Sequence, residues 1–209
     1  MSAQEIVLFI NGPVGQLQAL YLEQPNAKGI ALICHPHPLY AGTMQNKVVT
    51  TLQRVARDKG LTTLRFNFRG VGKSEGSYGA GEGEIADAYA AFQWLHAKHP
   101  ELPIDILGFS FGSCVAACLA GQLEQQGVAI KQLVMIAPPL ERFRVEGRMP
   151  EHCPLLVIQP EADGVVNAQV VYNWCNSMTR PHTLLTIPEC SHFFHGHLTD
   201  LKELVTPYV

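Results

Sequence analysis

The strongest constraint in this sequence is an alternation. From residue 30 onward, short apolar runs recur between longer segments with helical spacing. The runs are IALIC (30–34), TLRFNF (63–68), IDILGF (104–109), QLVMIA (132–137), LLVIQP (155–160) and TLLTI (183–187). In 43–59 the apolar positions are Met44, Val48, Leu52, Val55 and Ala56, followed by a capping Gly60. In 84–98 they are Ile85, Ala88, Tyr89, Phe92 and Leu95, and in 165–178 Val166, Val170, Trp174 and Met178. Continuous apolar strands separated by amphipathic helices require a largely parallel sheet covered on both faces. Ahead of them, IVLFING and GQLQALYLE read as an antiparallel hairpin turning through Gly12-Pro13. The expected fold is therefore α/β: about eight strands, mostly parallel, with helices on both faces. No linker or repeat divides the chain, so residues 1–209 are expected to form one domain.

Charge narrows the function. With 15 Lys and Arg against 18 Asp and Glu, the net charge of −3 leaves no basic footprint for nucleic acid or anionic membrane. The apolar run Ile6 to Ile10 is too short for a signal segment or a membrane span, so a cytoplasmic protein is expected. The six cysteines include no CxxC pair, and buried thiols are expected in place of a disulfide framework.

In sheets of this kind chemistry gathers at the carboxyl ends of the strands. There the run IDIL leads into Gly108-Phe109-Ser110-Phe111-Gly112 and then an alanine-rich helix. Gly-x-Ser-x-Gly between strand and helix is a nucleophile elbow: a sharp turn exposes the serine Oγ and aims the following amide, that of Phe111, at the same point. Glycines on either side permit close backbone approach. A serine hydroxyl needs a base, and the base an orienting acid. LLVIQP is followed by Glu161-Ala162-Asp163-Gly164, and TLLTIP by Glu189-Cys190-Ser191-His192. Asp163 is the preferred acid, against Glu161 nearer the strand and against a plain helix-capping role for Asp163. His192 is the preferred base over His195 and His197, the latter expected to lie already in a C-terminal helix with Phe194, Leu198, Leu201 and Val205.

The motifs GFSFGS, PEADGVV and ECSHFFHG, in this order, resemble the α/β-hydrolase superfamily across nearly the whole chain. HPHPLYAGTMQNKVV together with FNFRGVGKSEG is similar to a compact, lidless bacterial subgroup carrying an HPHPL loop. The resemblance implies Ser110 as nucleophile, Asp163 as acid and His192 as base. Asn67 stands where the wider superfamily often has aspartate, a position read as structural. The stretch 138–153 is too short for a cap domain and is expected to form a loop or one short helix, leaving a shallow, water-accessible pocket. Tyr40, Phe109, Phe111, Phe193 and Phe194 could wall it.

The loop CHPHPLYAG would supply a second oxyanion amide. Proline has no N–H, which excludes Pro36 and Pro38 and leaves His37, Leu39 and Tyr40. The superfamily register favours His37, whereas a turn completed by the whole HPHPL unit favours Leu39, the preferred reading. Its histidines are read as structural or pocket-lining groups.

Other motifs fail. Gly72-Lys73-Ser74 lacks the leading glycine of a phosphate loop, since Asn67 occupies that place. Arg142, Arg144 and Arg148 alternate with Glu141, Glu146 and Glu151 and read as a solvated loop. The three C-terminal histidines lack metal-ligand spacing, so neither metal nor cofactor is expected. The sequence-level expectation is a serine hydrolase of small-molecule esters or thioesters working through an acyl-enzyme. Its rivals are an idle scaffold used for binding and a triad enzyme of non-ester chemistry, such as a perhydrolase or a carbon–carbon hydrolase. Nothing fixes the oligomeric state, and a homodimer is compatible with the sequence.

Overall fold

In the computed structural model, which describes residues 4–209, the chain runs β1 (Ile6–Gly12), β2 (Gly15–Leu22), β3 (Gly29–Cys34), α1 (Lys47–Asp58), β4 (Leu61–Phe66), α2 (Glu82–Lys98), β5 (Ile104–Phe109), α3 (Phe111–Gln125), β6 (Ile130–Ile136), β7 (Leu155–Pro160), α4 (Ala168–Ser177), β8 (Thr183–Ile187) and α5 (Leu198–Val205). The strands form one sheet in the order β1-β2-β4-β3-β5-β6-β7-β8. β1 pairs antiparallel with β2, and β2 with β4; every other pairing is parallel. Gly12 faces Gly15 across the expected hairpin turn.

Both faces of the sheet are dry over its inner strands β3, β4, β5 and β7, which explains their continuous apolar runs, whereas the edge strand β1 keeps Ile6, Val7 and Phe9 exposed. Along β3, Ile30, Leu32 and Cys34 point into one core with residues of α2, α3 and α4, while Ala31 and Ile33 point into the other with α1 and α5. Among the described residues no helix is long and apolar enough to cross a membrane.

Topology then places the chemistry. β3 lies between β4 and β5, with Cys34 level with Gly108. The chain leaves β3 toward β4 on one side, and leaves β5 toward β6 on the other. Loops departing in opposite directions open a crevice at the strand ends. That crevice is bounded by the HPHPL loop and the serine turn.

Side-chain hydrogen bonds move several boundaries from where the sequence pattern placed them. α1 begins at Lys47 because Asn46 accepts the Val48 N–H at 2.9 Å, while Met44, counted in the helical pattern, lies in the preceding turn. α4 begins at Ala168, capped by Asn167. β4 starts two residues earlier than TLRFNF and stops at Phe66; the Asn67 side chain then ties Gln18 of β2 to the Met44 turn. α3 reaches back to Phe111, immediately after the serine. Residues 137–154 connect β6 to β7 through turns alone, without a helix. His197 flanks α5 at its N-cap, not within it, and Nδ1 meets Asp200 at 2.7 Å. Phe194 likewise precedes the helix.

Candidate active site

Ser110 sits at the turn between β5 and α3 with φ 52° and ψ −127°, a region non-glycine residues rarely adopt. Such a conformation costs about 1–3 kcal/mol. The surroundings hold it there. Ser110 N–H donates to Ile136 O on β6 at 2.8 Å, and its carbonyl accepts from Ser113 N–H at 2.9 Å and Ser113 Oγ at 2.6 Å. A Cβ on Gly108 would strike Gly112 O and Ser113 Cα; one on Gly112 would strike the carbonyls of Cys34 and His35. The first glycine thus lets the helix fold back on its strand, and the second lets it approach the loop after β3.

Three side chains from three strand ends meet over this turn. His192 Nε2 lies 3.0 Å from Ser110 Oγ, and His192 Nδ1 lies 2.8 Å from Asp163 Oδ2. Asp163 Oδ1 accepts from the amides of Val165 and Val166, each at 2.8 Å, and Gln159 Nε2 donates to Oδ2 at 3.3 Å. The aspartate therefore does both jobs weighed for it: it shapes a turn ahead of α4, and it holds the imidazole. Burial pushes its pKa up, but the hydrogen bonds from His192, Val166 and Val165 together outweigh burial and hold the carboxyl below its ordinary value. With Asp163 ionised, Nδ1 carries the imidazole proton and Nε2 is left to accept from the serine hydroxyl. Glu161 points into solvent, and His195 is exposed; neither joins this chain.

Ser110 is only 7% exposed, at the floor of a cleft of about 660 Å³. Tyr40, Phe109, Phe111 and Phe193 line it, as their positions near the strand ends suggested. Phe194 does not: it is fully buried in the core shared with α1 and α5, edge-on to Phe109. Sequence reasoning missed Tyr78, Phe143 and Arg142, which complete the walls. Tyr78 lies in a glycine-rich turn, and Arg142 and Phe143 in a segment that looked like a solvated loop; no periodicity marks any of them.

The loop after β3 is rigid for a different reason at each residue. His35 is wholly buried, its Nδ1 donating to Pro36 O at 2.6 Å and its Nε2 accepting Phe68 N–H at 3.0 Å. His37 is held at its ring and at its carbonyl. Nδ1 accepts Leu39 N–H at 3.2 Å, Nε2 lies 3.3 Å from Tyr78 Oη, and the carbonyl accepts from Tyr40 and Gly42. The amides of Leu39 and Tyr40 are consequently occupied within the turn, and the Leu39 side chain is 66% exposed. The His37 N–H donates to no protein group among the described residues. Phe111, first residue of α3, has an amide without an intrahelical acceptor.

Comparison with known proteins accords with this geometry. A thioesterase domain model matches residues 80–154. An uncharacterized protein of Rickettsia prowazekii is 34% identical, with 97% of this chain and 87% of that protein covered. The crystal structure of XC6422 from Xanthomonas campestris, an α/β serine hydrolase without a lid, is similar at 38% identity and TM-score 0.90, covering 99% of this chain and 94% of that one. The chain belongs to the lidless α/β serine hydrolases. A serine hydrolase homologue from Coxiella burnetii is also similar, at 36% identity and TM-score 0.88 over 99% of this chain and 97% of that one. In this lidless hydrolase the turns of 137–154 occupy the place between β6 and β7 where a cap could be inserted, and Pro139, Arg142 and Phe143 from it form one wall of the cleft.

Proposed function

We propose that this hydrolase cleaves carboxylic esters or thioesters of small molecules through an acyl-enzyme on Ser110. The observation that carries the reading is the unbroken hydrogen-bonded chain Ser110–His192–Asp163 at the floor of an open cleft. Ser110 Oγ attacks the carbonyl carbon as His192 Nε2 takes its proton, and Asp163 stabilises the imidazolium. The tetrahedral oxygen forms beside the amides of Phe111 and His37. His37 replaces Leu39 as the second donor because Leu39 N–H is already bonded to the His37 ring. Losing one such donor typically costs ~3 kcal/mol of transition-state stabilisation. Collapse expels the alcohol or thiol, which leaves with the proton from His192. Water then repeats the sequence on the acyl-enzyme, releasing the acid and restoring Ser110.

The thioesterase domain match gives thioesters a place beside oxygen esters, although the matched residues 80–154 contain Ser110 and neither of its partners. A chain-length series of p-nitrophenyl esters and matching thioesters separates the two. Turnover of short and medium members, lost in Ser110→Ala, is the expected result. A pure, folded wild-type protein that turns over no member of either series would refute the proposal.

A further inference from the structure

The cleft is walled by aromatic and small residues, and within that lining one side chain carries a permanent charge: Arg142. Arg57, Arg65, Arg69 and Arg148 each hold a carboxylate within 4.0 Å; Arg142 has no such partner among the described residues. Its backbone is fixed. Arg142 N–H and Phe143 N–H both donate to Pro139 O, at 3.0 and 3.1 Å, while Leu140 and Val145 on either side are buried. Phe143 packs edge-on against Phe111 with centroids 5.5 Å apart. Arg142, itself exposed, therefore lines the cleft from an anchored segment. Its charge reaches across to His37: burial depresses that imidazole most, Glu84 opposes, and Arg142 depresses it further. Glu84 is no competitor for the cation, because it is fully buried with its oxygens on the amides of Gly79 and Gly81.

An unpaired guanidinium beside an otherwise uncharged, largely aromatic cleft prefers an apolar ligand that ends in an anion. Building on the ester-hydrolase reading, we infer that Arg142 is a specificity-determining residue, selecting esters or thioesters that carry a carboxylate or phosphate away from the scissile bond. A partly exposed pair of this kind contributes about 1 kcal/mol, or roughly fivefold in relative kcat/KM.

Two substrate pairs locate the anion. A mono-p-nitrophenyl dicarboxylate against a neutral p-nitrophenyl ester of equal chain length places it on the acyl part. 4-Acetoxybenzoate against its methyl ester places it on the leaving group. In at least one pair the anionic-to-neutral ratio of kcat/KM should fall about fivefold in Arg142→Gln, fall further in Arg142→Glu and stay near wild type in Arg142→Lys. The ratio cancels any loss of folded protein, and in the wild type it should decline with added salt, a readout that needs no variant. Unchanged ratios in both pairs, or wild-type ratios indifferent to salt, would overturn the inference while leaving the hydrolase reading intact. A wild type that fails to react with a fluorophosphonate would overturn both.

Discussion

Single side chains explain why a motif departs from its family pattern. Asn67 Oδ1 accepts Met44 N–H at 2.9 Å and its Nδ2 donates to Gln18 Oε1 at 2.9 Å; Gln18 Oε1 also accepts Lys73 N–H at 2.9 Å. An aspartate here would set a carboxylate oxygen against Gln18 Oε1, and Gln18 could not reverse its amide without abandoning Lys73. Asn67→Asp should therefore lower unfolding free energy by about 1–3 kcal/mol in urea titrations, and an unchanged midpoint would contradict this account. That Asn67 is structural was legible in the sequence; its partners were not, because Gln18 on β2 and Met44 in the turn before α1 lie far from it in the chain. The same contrast runs through the site. Ser110, Asp163 and His192 were readable from chain order and strand ends, since topology dictates where such residues stand. That the Leu39 amide is taken by the His37 ring was not readable, because it is a matter of rotamer that no spacing reveals.

At the scale of elements, the joint between β3 and β4 depends on a neutral histidine. His35 bonds Pro36 O and Phe68 N–H from inside the protein, and burial, partly opposed by the Pro36 bond, pushes its pKa down to about 3. Protonation would remove the acceptor that Phe68 N–H requires. The unfolded chain binds a proton at about pH 6.5, the folded chain only near the depressed value, so acid favours unfolding. This contribution is complete above about pH 6.5 and shrinks by up to about 1.4 kcal/mol per pH unit as pH falls toward the folded value. Asp163, also depressed, adds a second loss only below the ordinary carboxylate range of about 4. Unfolding free energy measured between pH 7 and 5 should fall accordingly, and a flat profile would contradict the role given to His35. The strands and most helices were legible from periodicity, which follows burial on one face or two, and α3, buried nearly all round, from its alanine-rich composition. Their ends were not, because caps such as Asn46 and Asn167 and the turn at Asn67 are set by individual hydrogen bonds.

For the whole molecule, strand order decides where reaction can occur. Two loops diverge between β3 and β5, and into the opening project Ser110 from the end of β5 and His192 from beyond β8, with Asp163 from beyond β7 buried behind the imidazole. Parallel, doubly covered strands were evident in the sequence, and with them the end of the sheet to search. The cleft itself was only half legible, since Tyr78, Arg142 and Phe143 reach it from segments whose conformation is fixed by tertiary contact. The central claim is that this assembly makes Ser110 a nucleophile. Mass spectrometry of the protein after reaction with a fluorophosphonate tests it directly. One adduct on the peptide containing Ser110, absent in Ser110→Ala along with ester turnover, is the predicted result. No adduct at Ser110, or ester turnover retained in Ser110→Ala, would contradict it.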